Sequence, residues 1–142
     1  MKKSTTFFAL TLLLSAQLHA QVVSPPVDDK FDSTKAYVKV EQEASFPGGL
    51  EAWTEFLQKT MKTNVPRKNK APIGRYQVIA RFIVDTEGKL SDIECETNHG
   101  YGLEAEVIRV LKKSPDWNPA KLNGKPVKAY RRQPVTFLVE AE

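Results

Sequence analysis

The chain has 142 residues, 41% of them hydrophobic and 27% charged, with a formal net charge of +4. That length suits one domain around a single core. So small a charge excludes the basic footprint of a nucleic-acid binder, and a lone cysteine, Cys95, excludes an intrachain disulfide.

In chain order, residues 1–20 read as a secretory signal. Lys2 and Lys3 give a positive start, and Phe7 to Ala16 is an apolar run broken only by Thr11 and Ser15. Leu18-His19-Ala20 offers a small residue at the cut. A membrane-spanning helix needs about 20 apolar residues, roughly twice this run. The expectation is export with cleavage after Ala20, which leaves Gln21 as the N-terminus and 19 basic against 17 acidic residues. The alternative is an uncleaved anchor formed by residues 7–20.

Residues 21–44 read as a flexible linker, with Pro25-Pro26 and few apolar positions. Tyr37 to Val40 alternates briefly, as a short strand does. A domain is expected over 45–142. Phe46-Pro47-Gly48-Gly49 punctuates its start, and Leu50, Trp53, Phe56 or Leu57, and Met61 then recur at helical spacing. Pro66 ends that helix, and Arg67 to Gly74 reads as a loop. Period two follows, with Tyr76, Val78, Ala80, Phe82 and Val84 on one face and Ile79 and Ile83 on the other. That pattern suits a central strand. Asp85 to Gly88 turns the chain into a returning strand carrying Leu90, Ile93 and Cys95, which makes a β-hairpin.

After Asn98 to Gly102, the residues Leu103, Val107, Val110 and Leu111 mark a second amphipathic helix, stopped by Pro115. Asn123-Gly124 is a tight turn. From Lys128 the chain alternates again, with Ala129, Val135, Phe137 and Val139 as its buried set. Pro134 within that run points to an edge strand or a bulge, because it has no N–H for a ladder bond. The order is α-β-β-α-β, an α+β domain with two helices on one face of a three-stranded antiparallel sheet. If the last strand pairs beside the first, its outer edge is free.

No catalytic set emerges. His99, the one histidine after the leader, lies between glycine and asparagine in a loop and reads as a solvated turn residue. One His and one Cys do not supply the ligands of a zinc site. Asp92, Glu94 and Glu96 at period two read as a solvated strand face, and Cys95 as a small half-buried hydrophobe. No cofactor or metal is expected. A periplasmic hydrolase is the least favoured reading. Arg67, Lys68 and Lys70, and Arg131 with Arg132, read equally well as edge protection or as attraction for an acidic peptide.

The ordered set of motifs resembles the C-terminal domain of TonB. It comprises Phe46-Pro47-Gly48-Gly49, Val65-Pro66 where the family has Tyr-Pro, Gly74 into Val78, and Phe82 to Gly88. It continues with Gly100-Tyr101-Gly102-Leu103, Ser114 to Ala120, Asn123 to Val127, and Pro134-Val135-Thr136-Phe137. The resemblance spans about residues 40–139. It implies a non-enzymatic periplasmic domain that takes a peptide segment of an outer-membrane transporter or another envelope protein as an added strand. The contact strand by position holds Lys128, Tyr130, Arg131, Arg132, Gln133, Val135 and Thr136, and the same edge offers a route to a homodimer. With the leader cleaved, the expectation is a detached binding domain. With residues 7–20 retained in the inner membrane, it is an energy transducer.

Overall fold

The structure is a computed structural model that describes residues 34–141, which fall within one compact unit, residues 32–142. The signal and most of the linker, up to residue 33, lie outside the described residues. Helix α1 spans Gly49–Thr60 and the one-turn α2 spans Val65–Lys68. Strands β1 (Gly74–Val84) and β2 (Leu90–Cys95) follow, then helix α3 (Leu103–Leu111). The short strands β3 (Ala120–Leu122) and β4 (Lys125–Val127) precede the long β5 (Ala129–Val139).

The main sheet has the order β2-β1-β5, all antiparallel, so β1 is central and β5 is an edge. β1 and β5 pair over eleven positions, from Gly74 opposite Val139 to Val84 opposite Ala129. Both strands alternate. Val78, Ala80, Phe82 and Val84 of β1 and Ala129, Val135, Phe137 and Val139 of β5 are buried on the helix side. All of them but Val139 join Leu103, Val107 and Leu111 of α3 and Trp53 of α1 in one core.

Strand β2 contains a bulge. Arg81 faces Glu94 but Ile83 faces Ser91, so two residues of β2, Asp92 and Ile93, stand opposite Phe82 alone. Asp92 in the bulge has a φ of 48°. The extra residue explains a spacing that plain alternation does not allow, since it brings Leu90, Ile93 and Cys95 to the same core face.

The hairpin tip is fixed from both sides. The Asp85 carboxylate accepts the N–H of Glu87 at 2.8 Å and of Lys89 at 2.9 Å. The Gly88 carbonyl accepts the N–H of Trp117 at 2.8 Å. Trp117 in turn packs its ring against Phe82 at 5.1 Å, Phe46 at 5.7 Å and Trp53 at 5.7 Å between centroids. These rings join the loop before β3, the segment before α1, helix α1 and the central strand.

The expected α-β-β-α-β order is present as α1, β1, β2, α3 and β5, with differences in detail. Residues 65–68 form a helical turn, where Pro66 was expected to end the first helix and a loop to begin at Arg67. Pro66 lies in its first turn, the place where a missing N–H costs nothing. Asn123 and Gly124, with φ of 50° and 72°, close the hairpin β3–β4, a second, two-stranded sheet. The expected strand at Tyr37 to Val40 is a single bridge from Tyr37 to Ala129. Residues 37–45 nevertheless run along the domain, with Ala44 buried and further bridges from Gln42 to Lys121 and Ser45 to Asn118. Leu50, expected on the buried stripe of α1, is 78% exposed.

One buried charge fastens the end of α1. Glu106, 5% exposed in α3, accepts the Lys62 N–H at 2.7 Å and a fork from Arg109 at 2.6 and 2.8 Å. Arg109 also donates to the Thr60 carbonyl at 2.7 Å, one of the carbonyls a helix end leaves open. The Arg109 hydrogen bond holds the Glu106 carboxyl below its ordinary pKa of 4.5, against the opposing effect of burial and with help from the Lys62 N–H.

Two predictions follow from these contacts. A Cβ at Gly88 would lie 2.0 Å from the Trp117 carbonyl oxygen at a φ of 89°, so Gly88→Ala lowers stability by about 3 kcal/mol in denaturant titration. Glu106→Gln lowers it by about 1–3 kcal/mol at pH 7. Because the folded-state pKa of Glu106 is depressed, its contribution is full above the unfolded value and fades as pH falls through the folded one. The gap between wild type and Glu106→Gln therefore narrows below pH 4.5, read as urea midpoints from pH 7 to 3.

Candidate peptide-binding edge

Backbone parity decides what β5 offers outward. Ile79 of β1 directs both its backbone groups toward β2: its N–H reaches Thr97 Oγ1 at 3.1 Å and its carbonyl accepts Glu96 N–H at 2.9 Å. Its partner on β5 is Pro134. Pro134 and the other even-numbered residues of β5 therefore turn their backbone groups away from β1. Tyr37 confirms the parity at the start of the strand. It donates its N–H to the Lys128 carbonyl and accepts the Tyr130 N–H, both at 2.9 Å.

Beyond Tyr130 the outward donors are the N–H groups of Arg132, Thr136 and Leu138. Pro134 sits among them as the one outward position without a donor. Placing proline there leaves the β1 ladder intact, because the missing N–H belongs to the outer side. Among the described residues, the edge expected to be free is thus occupied by Tyr37 at its first positions and open after them.

The expected contact residues divide by face. Tyr130 and Arg132 lie on the face away from the helices. The Arg81 guanidinium sits 4.5 Å above the Tyr130 ring, and Arg132 grips Glu96 through hydrogen bonds of 2.6, 2.9 and 3.1 Å. That hydrogen bonding lowers the Glu96 pKa and raises that of Arg132. Arg131 and Gln133 lie on the helix side. Arg131 pairs with Glu43 and donates to Gln133 Oε1 at 3.3 Å, while its Nε is buried with no partner. Burial pushes the Arg131 pKa down. Lys128 precedes β5 and its carbonyl is taken by Tyr37, whereas Thr136 lies within the open stretch. Val135 stands apart, since its side chain is 3% exposed in the core and its backbone faces β1. It holds the strand rather than facing outward.

Depressions among the described residues border this strand. A cleft of about 480 Å³ is lined by Val38, Glu43, Arg81, Glu96, Tyr130 and Arg132. A pocket of about 150 Å³ lies between the start of α1 and Arg131 with Gln133. A third, of about 250 Å³, joins α2 to Leu138, Val139 and Glu140. Val38, Leu50 and Leu138, all large exposed hydrophobics, are each in one of them. Sequence reading placed Leu50 in the core and gave Val38 no role, because neither position breaks its local pattern.

The other candidates resolve as structural groups. His99 Nε2 lies 2.8 Å from the Gln77 carbonyl and its ring meets Tyr76 edge-on. Cys95 is half-buried, and burial followed by Glu104 pushes its thiol pKa up. Glu94 pairs with Arg81 at 3.1 Å. Among the described residues no group of His, Cys, Asp and Glu is arranged to hold a metal ion, and no helix is long and apolar enough to cross a membrane.

Residues 77–139, from β1 through β5, match the family model of the Gram-negative bacterial TonB protein C-terminal. No curated protein and no solved structure matches the chain. The match covers the three strands of the main sheet and α3, the segments whose order and pairing are described above. That match, over residues 77–139, supports assignment of the domain to the TonB C-terminal domain family.

Proposed function

We infer that this domain binds a peptide segment of an outer-membrane transporter, or of another envelope protein, by adding it as a strand to the outer edge of β5. TonB C-terminal domains interact with outer-membrane transporters, which supports the partner class. The observation that carries the binding mode is the edge itself. From Arg132 to Leu138 it turns outward backbone groups that pair with none of the described residues, flanked by exposed apolar side chains. Main-chain hydrogen bonds then supply affinity, and side chains at alternate positions supply selectivity. Binding and positioning, not catalysis, are the activity of this site.

The leader supports export to the periplasm with loss of residues 1–20, so that the domain works as a detached binding module. N-terminal sequencing of the protein recovered from cells checks this. Gln21 as first residue agrees with it, whereas Met1 returns the chain to the membrane-anchored transducer reading.

Thr136 gives the test of the binding mode. Its N–H faces outward, so Thr136→Pro removes a donor from the open edge and none from the β1 ladder. With synthetic peptides from the periplasm-facing segments of outer-membrane transporters, Thr136→Pro weakens binding by about tenfold or more while Thr136→Ala leaves it unchanged. Equal binding by both variants, with unchanged circular dichroism, would rule out strand addition at this edge.

A further inference from the structure

The Phe46-Pro47-Gly48-Gly49 segment forms a tight turn beside the β5 edge. The Gly49 N–H donates to the Phe46 carbonyl at 2.9 Å, and Gly48 has φ 85° and ψ 2°. With Pro47 ahead of it, this is the geometry of a type II turn. A Cβ at Gly48 would lie 2.7 Å from the Ala52 Cβ, so the turn admits only glycine there. The turn does two things. It drives Phe46 inward against Trp53 at 5.3 Å and Phe56 at 5.2 Å between ring centroids. It also starts α1 so that Leu50 stands exposed next to Arg131 and Gln133.

The result is the pocket of about 150 Å³ walled by Phe46, Leu50, Trp53, Arg131 and Gln133. Side chains of an added strand alternate between the two faces of the sheet. Residues opposite Arg131 and Gln133 point to the helix side, where this pocket opens. A cavity of this volume accepts one ring-sized group. Its charge is already balanced, since Glu43 pairs with Arg131, so it does not call for a carboxylate. Its walls are the rings of Phe46 and Trp53 and a half-buried guanidinium whose Nε lacks an acceptor. A guanidinium in that state stacks well on an aromatic face.

We propose that this pocket is the selectivity site of the edge, and that it takes one aromatic side chain of the incoming strand at a helix-facing position opposite Arg131 or Gln133. The proposal rests on strand addition to β5 and adds which peptides that edge selects. The turn motif then has a role in recognition as well as in starting the helix, because it sets the distance between Leu50 and the strand.

The test uses the full chain and a displayed library of eight-residue peptides randomised at every position, followed by synthesis of the enriched sequences. Selection is expected to fix an aromatic residue at one position, and its replacement by alanine weakens binding by about tenfold. Leu50→Glu, at an exposed site that leaves the fold unchanged by circular dichroism, removes that preference. Thr136→Pro removes binding of the whole set. Enriched peptides that lose binding with Thr136→Pro but show no aromatic position, prefer an acidic one there, or keep the aromatic preference in Leu50→Glu overturn the pocket and leave the edge standing. Peptides indifferent to Thr136→Pro, or a library that yields no binder, overturn both.

Discussion

The eleven-residue pairing of β1 with β5 is the constraint on which the rest of the domain depends. It fixes β1 in the middle of the sheet, and with it the side on which the helices pack. Val78, Ala80, Phe82 and Val84 line up with Val135, Phe137 and Val139 on one face only because the register is what it is. A slip of one residue would turn every one of these side chains to the other side. The pairing also assigns the roles of the two backbone edges of β5. Odd positions satisfy β1, and even positions remain for Tyr37 and for whatever comes next to it. The aromatic group around Trp117 then secures the layer above the sheet by joining segments distant in sequence.

An exposed edge invites unwanted pairing, and this one is guarded with some care. Tyr37 covers the start, Pro134 interrupts the row of donors, and two arginines stand at the near end of the open stretch. The arginines are not free charges. Arg132 is held by Glu96 and Arg131 by Glu43. Of the two roles open to them from sequence, attraction of an acidic peptide is the weaker, since each already has a carboxylate partner. They shape the walls of the two depressions on either face of the strand instead.

Much of the fold was legible because it depends on periodicity. The 3.6-residue stripe of α3 and the strict alternation of β1 and β5 name their own buried residues. What was not legible depends on contacts between segments far apart in sequence. Glu106 reads as an ordinary acidic residue near the start of α3, although it falls three residues after Leu103 and three before Arg109, on the stripe itself. Only the approach of Thr60 and Lys62 makes its burial possible. Pro66 looked like a stop and is a start. Leu50 fits the apolar spacing of α1 yet points outward, since the turn before it rotates the helix toward Trp53. On the candidate site, proline in the last strand pointed correctly to an edge. The parity that turns Val135 inward and Thr136 outward needed the pairing partner of Ile79.

Because β5 is the last element and its nearest pair joins residues as far apart as Val84 and Ala129, the sheet closes late. The β1–β2 hairpin is local and forms ahead of a contact that must first close a loop of some forty residues. Until then the open edge of the molecule is that of β1, rich in valine, isoleucine and phenylalanine and without a proline. A chain cut short before Ala129, or caught before its end has arrived, therefore displays a sticky ladder in place of a guarded one. The guarded edge exists only in the finished fold, so the same strand that receives a partner is also the cap that keeps the nascent sheet from finding one too early.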